Sequence, residues 1–219
     1  MRLTPFLYKP VLTLAMATAG LCVATTCQGG AQQQEHLSAS VRAVMQRSVS
    51  DQAPQKLAFA SQQEAQFWLD EMSRRLQKIM PDANYRLEFL SAVHYEATRA
   101  GLDPYLVLSL IEVESRFNKY AVSKVGARGY MQVMPFWVTS IGKKEHNLFH
   151  LRTNLRYGCT ILRHYLDIEK GNLYRALGRY NGSLGQPEYP NLVRAAWHKH
   201  WTPPVYRTAR PPSSMLSAR

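Results

Sequence analysis

Two carboxylates stand two residues apart in the stretch "IEVESRFNKYAVSKVGARGYMQVMP", which runs from Ile111 to Pro135. Glu112 and Glu114 close an almost entirely apolar segment and lead into a loop that carries Gly126 and Gly129. On a helix, residues two apart lie about 200° around the axis, so the two side chains cannot both face one cleft. Either carboxylate sits near the helix C-terminus, where unpaired carbonyls carry partial negative charge and disfavour a further one. Burial among apolar neighbours acts in the same direction and holds the proton on the carboxyl group. A carboxylic acid kept neutral near neutral pH can act as a general acid. The ordinary alternative is a solvated or ion-paired Glu in a last helical turn, with Arg116 or Arg128 as partner. The glycines would let backbone approach a ligand closely, and Gln132 would supply oriented hydrogen bonds.

The elements that must carry these residues are helical wherever a period can be read. A weak amphipathic helix is expected from His36 to Arg47, followed by a linker, "SVSDQAPQK". Ser61 and Glu64 form a capping box ahead of Trp68, Met72, Leu76 and Ile79, and Pro81 stops that run. Leu87, Leu90, His94 and Ala97 mark a second helix, ended by Gly101. Asp103 as N-cap and Pro104 in the first turn then open "YLVLSLIEVES", which is apolar nearly all round and is expected to be central and buried. Further helices are expected in "RYGCTILRHYLDIEKG" and "LYRALGRY". No segment alternates convincingly as a strand, and no internal repeat is found.

With 219 residues, 46% of them hydrophobic and 19% charged, the chain can bury one good core. Arg2 and Lys9 precede the apolar run "VLTLAMATAGLCVATT", and no acidic residue lies nearby, which is the pattern of a cleaved secretory signal. The run from Val11 to Val23 is short for a span of roughly 20 residues. Cleavage is expected near Gly30 or Ala31 and places the mature chain in the periplasm. Cys27 is a poor lipoprotein acceptor, so lipid anchoring is the lesser expectation. Cys22 and Cys27 leave with the signal, so Cys159 remains as a buried small residue and no disulfide framework forms.

The net charge of +12 falls to about +10 without the signal and suits anionic wall polymers or lipid headgroups, implying peripheral contact with a wall or membrane surface. Neither zinc-finger spacing nor a compact basic and aromatic alternation supports nucleic acid. His146 and His150 are four apart, yet no third ligand is evident, so no metal and no cofactor are expected. The aromatic "WHKHW", Trp197 to Trp201, could stack on sugars but more commonly such residues close a core. The tail from Thr202 is rich in Pro, Ser and Arg and is expected to be disordered.

"ESRFNKYAVSKVGARGYMQVMP" resembles the signature of the soluble lytic transglycosylase (SLT) family, whose members share a lysozyme-like fold. "NLRYGCTILRHYL" from Asn154 and "ALGRYNGS" from Ala176 are similar to that family's later motifs, in the same order. The likeness covers about residues 85–183. It implies a mostly α, single lysozyme-like helical domain, bounded here at 61–201, after a signal peptide at 1–31 and an N-terminal helix and linker at 32–60, with a tail at 202–219. It implies Glu114 as the catalytic acid, with Ser115 supporting the helix end. Ser123, Gln132, Met134, Tyr180 and Asn181 match substrate-binding positions of the groove. Tyr130 stands where the family usually has Leu, and Arg179 and Ser183 replace small residues at the groove edge.

The implied reaction is non-hydrolytic cleavage of the β-1,4 bond between N-acetylmuramic acid and N-acetylglucosamine, leaving a 1,6-anhydro end on peptidoglycan glycan strands. A hydrolase would need a second carboxylate, for which Glu112, Glu145 and Asp167 are candidates. A lysozyme-type hydrolase and a non-catalytic wall-binding or secretion-system scaffold are the alternatives. Its small size and short N-terminal region suit local opening of the wall for a secretion system or pilus apparatus.

Overall fold

A computed structural model describes residues 32–50 and 59–203. The expected signal segment, most of the linker after Ser50 and the tail beyond Pro203 lie outside the described residues. Among the described residues eight helices follow in order: α1 (Ala39–Ser50), α2 (Gln62–Leu76), α3 (Ala83–Arg99), α4 (Pro104–Ser115), α5 (Phe136–Ile141), α6 (Leu151–Ile168), α7 (Leu173–Asn181) and α8 (Glu188–His200). Among the described residues extended pairing is limited to isolated bridges, Val122 with Arg128 and Arg128 with Val133.

Local chemistry explains the helix starts. The Glu64 amide donates to the Ser61 hydroxyl, and the Glu64 carboxylate reaches back to the Ala60 amide, one residue earlier than the reciprocal box would have it. Asp82 and Asp103 accept from the amides of Tyr85 and Tyr105 and open α3 and α4. The apolar stripes slip at two positions. Ile79 lies beyond the end of α2 at Leu76 and is exposed, and Leu87 faces outward while Phe89 and Val93 pack inside.

α4 is the central rod: eight of its 12 residues are buried, so it has no face left for water. It packs on α3 and α8, α3 packs on α2 and α6, and α6 carries α7 and α1. The buried Glu96 carboxylate of α3 is held by Arg156 of α6 at 2.9 Å and by Arg99 at 3.0 Å, which fixes the α3–α6 pair. Cys159 is buried beside this network, and burial raises its thiol pKa well above the ordinary value, as an inert small residue requires.

The helix expected from His36 to Arg47 is present as α1 with shifted bounds. α1 begins three residues later than expected and continues through Ser48, Val49 and Ser50, and Val49 is buried against the core. α5 and α8 had no counterpart in the sequence reading. Trp201 is buried against Phe117, with ring centres 5.5 Å apart, so this end of "WHKHW" closes the core.

Candidate active site

α4 ends abruptly because Arg116 and Phe117 both adopt positive φ, 51° and 62°. Two consecutive non-glycine residues in the left-handed region are costly and need a surrounding structure that fixes them. The Ser115 hydroxyl donates to the Ile111 carbonyl at 3.1 Å and ties down the last turn, the support its position suggested. Glu114 is thereby held at the helix end, 3% exposed. The Tyr189 hydroxyl donates to Glu114 Oε1 at 2.5 Å.

Tyr189 was not anticipated. It lies at the second position of α8, and no pattern in "GQPEYPNL" marks it as a partner of a residue 75 positions earlier. Glu112 leaves another side of the helix than Glu114, as the helical angle required, and turns toward the end of α8. It accepts from His200 Nδ1 at 2.8 Å and from Trp201 Nε1, and so joins the end of α4 to the end of α8.

A cleft of about 890 Å³ opens between the end of α4, the α7–α8 turn and α8. Glu112, Phe117, Asn181, Ser183, Glu188 and Tyr189 are among its walls. Tyr189 is thus in contact with both the cleft and the buried Glu114 carboxyl. Asn181 donates from Nδ2 to the Ser183 hydroxyl at 3.0 Å, while its buried Oδ1 has no hydrogen-bond partner among the described residues.

The loop after α4 is a knitted unit. The Ser123 hydroxyl accepts from the Ala127 amide, and Arg128 and Val133 exchange backbone hydrogen bonds. Gln132 is 2% exposed with φ 47°, and its side-chain amide donates to the carbonyls of Ala121 and Gly129. Its donors therefore brace the loop. Met134 is half-buried at the loop's exit. Asn154, on α6, accepts from the Met131 amide and donates to the carbonyls of Arg128 and Leu148, pinning the loop to the core.

The two glycines serve the fold in different ways. At Gly129 (φ 75°) a Cβ would lie 2.4 Å from Asn154 Nδ2 and 2.6 Å from the Leu148 carbonyl oxygen, so the close approach is to the protein's own core. At Gly126 (φ 88°) a Cβ would meet nothing, and only the turn requires the glycine.

Tyr180 is fully buried and donates to the Met131 carbonyl at 2.8 Å. A side chain so placed bears on the site by packing. Burial foremost, with the Glu114 charge adding to it, raises the Tyr180 hydroxyl pKa well above its usual value. Tyr130 fills the core beside Phe89 and shares a 2.8 Å hydrogen bond with the Tyr85 hydroxyl, so the replacement of Leu is accommodated inside. Arg179 pairs with Glu35 at 2.9 Å and with Glu169, away from the cleft walls.

The two histidines lie outside any helix interior: His146 Nδ1 shares a 2.7 Å hydrogen bond with the Tyr157 hydroxyl, and His150 precedes α6 as its N-cap. Among the described residues no group of three His, Cys, Asp or Glu side chains is arranged to hold a metal ion.

A helical domain with a buried carboxyl at the end of its central helix, beside an open cleft, is lysozyme-like in kind. Residues 91–191 match the model of the transglycosylase SLT domain. It is 32% identical over 103 residues to the Transglycosylase of Enterobacteria phage PRD1, covering 47% of this chain and 38% of the phage protein. It is 50% identical over 48 residues to the Membrane-bound lytic murein transglycosylase C of Actinobacillus pleuropneumoniae, covering 22% of this chain and 13% of that protein. A likeness of 41% over 61 residues links it to the protein of the same name from Mannheimia succiniciproducens, over 27% of this chain and 17% of the other. The chain therefore spans well under half the length of these curated relatives.

Proposed function

We propose that this protein is a peptidoglycan lytic transglycosylase with Glu114 as its acid. The observation that carries the reading is the placement of Glu114: buried at the end of α4, in contact with Tyr189 of the cleft, within the segment that matches the SLT domain. Protonated Glu114 gives its proton to the glycosidic oxygen, and the bond from that oxygen to C1 of N-acetylmuramic acid breaks. The 6-hydroxyl of the same sugar then attacks C1, and the Glu114 carboxylate takes the hydroxyl proton. The acid is restored, no water is consumed, and the product ends in a 1,6-anhydro ring. The Tyr189 hydroxyl stabilises the carboxylate while the proton is away, because a hydrogen bond to a charged acceptor is the stronger kind.

Asn181 Oδ1 is the acceptor with spare capacity at the cleft, suited to a sugar hydroxyl or an acetamido N–H. Ser123 and Met134, on the loop after α4 and not among the residues lining this cleft, would contact the glycan as their match to the family motif implies. Gln132 and Tyr180 act behind them by holding the loop. Glycan strands of the wall are the substrate. The site 61–201, together with the packed segment from Gln32, forms the working body.

A specific observation keeps the hydrolase reading in play: Glu112 and Glu188 both line the cleft, and either could be the second carboxylate that hydrolysis needs. Mass spectrometry of the products from purified sacculi separates the two, since the anhydro product lacks one water relative to the hydrolysed one. Export to the periplasm by a cleaved signal completes the reading; among the described residues no helix is long and apolar enough to cross a membrane. N-terminal sequencing of the exported protein should begin near residue 31. A role in opening the wall locally for a secretion or pilus apparatus is tested by whether loss of the protein stops assembly while bulk wall turnover continues.

A further inference from the structure

Ahead of α1, residues 32–37 run as a non-helical strap outside the segment that matches the SLT domain. The strap is seated at three points. Gln32 is 4% exposed, far less than an ordinary glutamine in a chain's leading segment. Its Nε2 donates to the Gln132 carbonyl at 3.3 Å, and its Oε1 accepts from the Met134 amide at 3.3 Å and from Trp137 Nε1 at 3.0 Å. The same side chain reaches the Tyr180 hydroxyl. Three residues on, Glu35 pairs with Arg179, and Leu37 is buried in the core.

These contacts converge on the parts of the molecule that the proposed reaction needs held. Gln132 is a non-glycine residue in the left-handed region, a conformation that persists only where its surroundings fix it. Its side chain braces the loop from one side, and Gln32 holds its carbonyl from the other. Arg179 and Tyr180 precede Asn181, the cleft residue with the spare acceptor. One amide side chain thus bonds both the Gln132 carbonyl and the loop's exit at Met134 and Trp137, while a carboxylate of the same strap holds Arg179 of α7.

We propose that Gln32 is a positioning residue for the reaction: the strap carries a side chain from outside the family domain into the back of the site and sets the geometry of the Gln132–Met134 segment against Tyr180 and Asn181. The proposal rests on the transglycosylase reading. It gives Arg179, where the family has a small residue, a purpose as the strap's second anchor. It also gives the expected cleavage near residue 31 a consequence, since cutting there keeps Gln32 and trimming a few residues further removes it.

The test uses the full chain carrying Gln32→Ala or Gln32→Met, the latter keeping the bulk while removing every hydrogen bond. Both variants should lower kcat for release of 1,6-anhydro-muropeptides from sacculi by about tenfold or more, because small misplacements of positioned groups are costly. KM should stay within about twofold, since none of the residues that Gln32 hydrogen-bonds lines the cleft. Amide hydrogen exchange across residues 129–138 should quicken in both variants. Wild-type kcat in Gln32→Met would overturn the proposal, because packing alone would then suffice. A loss of kcat matched by a proportionate fall in folded protein would overturn it too, as a purely structural anchor. If the parent protein itself releases no anhydro product, the functional reading fails, and the exchange measurement decides the strap: quickened exchange supports its bracing of the loop, and unchanged exchange refutes it.

Discussion

Removing the Tyr189 hydroxyl is the perturbation whose size the structure best defines. Tyr189→Phe keeps a ring that is 6% exposed and packed against the core, so the cleft wall and α8 stay in place. What is lost is one 2.5 Å hydrogen bond to Glu114 Oε1. Hydrogen bonds to charged groups contribute about 1.5–3 kcal/mol, against about 0.5–1.5 for neutral ones. In the resting acid the bond is of the weaker kind, and in the step that leaves Glu114 ionised it is of the stronger kind. The difference is about 1–2 kcal/mol, a loss of roughly fivefold to thirtyfold in kcat at about 1.4 kcal/mol per decade. The folding cost should be near 1 kcal/mol, seen as a small fall in Tm. The assay is the initial rate of anhydro-muropeptide release from sacculi, with thermal unfolding alongside. Turnover at the parent rate in a folded Tyr189→Phe would refute the role of the hydroxyl, and complete inactivity would mean that Tyr189 does more than stabilise the carboxylate.

Three further outcomes follow from the packing and the charges. Gly129→Ala should destabilise by about 3 kcal/mol or more by forcing a Cβ into Asn154 and a backbone carbonyl, whereas Gly126→Ala should cost only about 1 kcal/mol for its left-handed turn; equilibrium denaturation of the pair measures both. Glu96→Ala, which leaves Arg156 buried without its carboxylate, should cost about 3–5 kcal/mol in the same experiment. Burial lowers the His94 pKa to about 4 from an unfolded value near 6.5, so the stability tied to its neutral ring is present above 6.5 and lost as pH falls toward 4. Tm measured down that range should fall less steeply in His94→Phe, with part of the remaining slope from His164, whose pKa burial also lowers.

What could be read from the sequence was whatever depended on neighbours in the chain. Asp103, Pro104 and the unbroken apolar run announced α4, and Ser61 with Glu64 announced α2, because caps and helical periods are local. The separation of Glu112 from Glu114 followed from helix geometry alone. α8 escaped notice because Pro187 and Pro190 flank its start, where a missing N–H costs nothing but where prolines read as loop. Tyr189 and Gln32 act across 75 and 100 residues of chain, and nothing near either residue encodes its partner. Gln132 and Tyr180 were legible as important positions but not as buried ones, since a side chain that braces a loop and one that faces a sugar share the same residue types. Gly129 was read as room for a ligand, and the room is taken up by Asn154.

The central claim is that Glu114 is the group that gives and then takes the proton. Glu114→Gln retains shape and hydrogen bonding but has no transferable proton, and Glu112→Gln on the same helix is its control. Both should be assayed for 1,6-anhydro-muropeptide release by mass spectrometry, after confirming that each is folded. Glu114→Gln should lose at least about 10²- to 10⁴-fold in turnover, the usual range for general acid catalysis. Glu112→Gln, which loosens the tie to His200 and Trp201, should stay within about tenfold. A folded Glu114→Gln that still releases anhydro product, beside a Glu112→Gln that releases none, would contradict that claim.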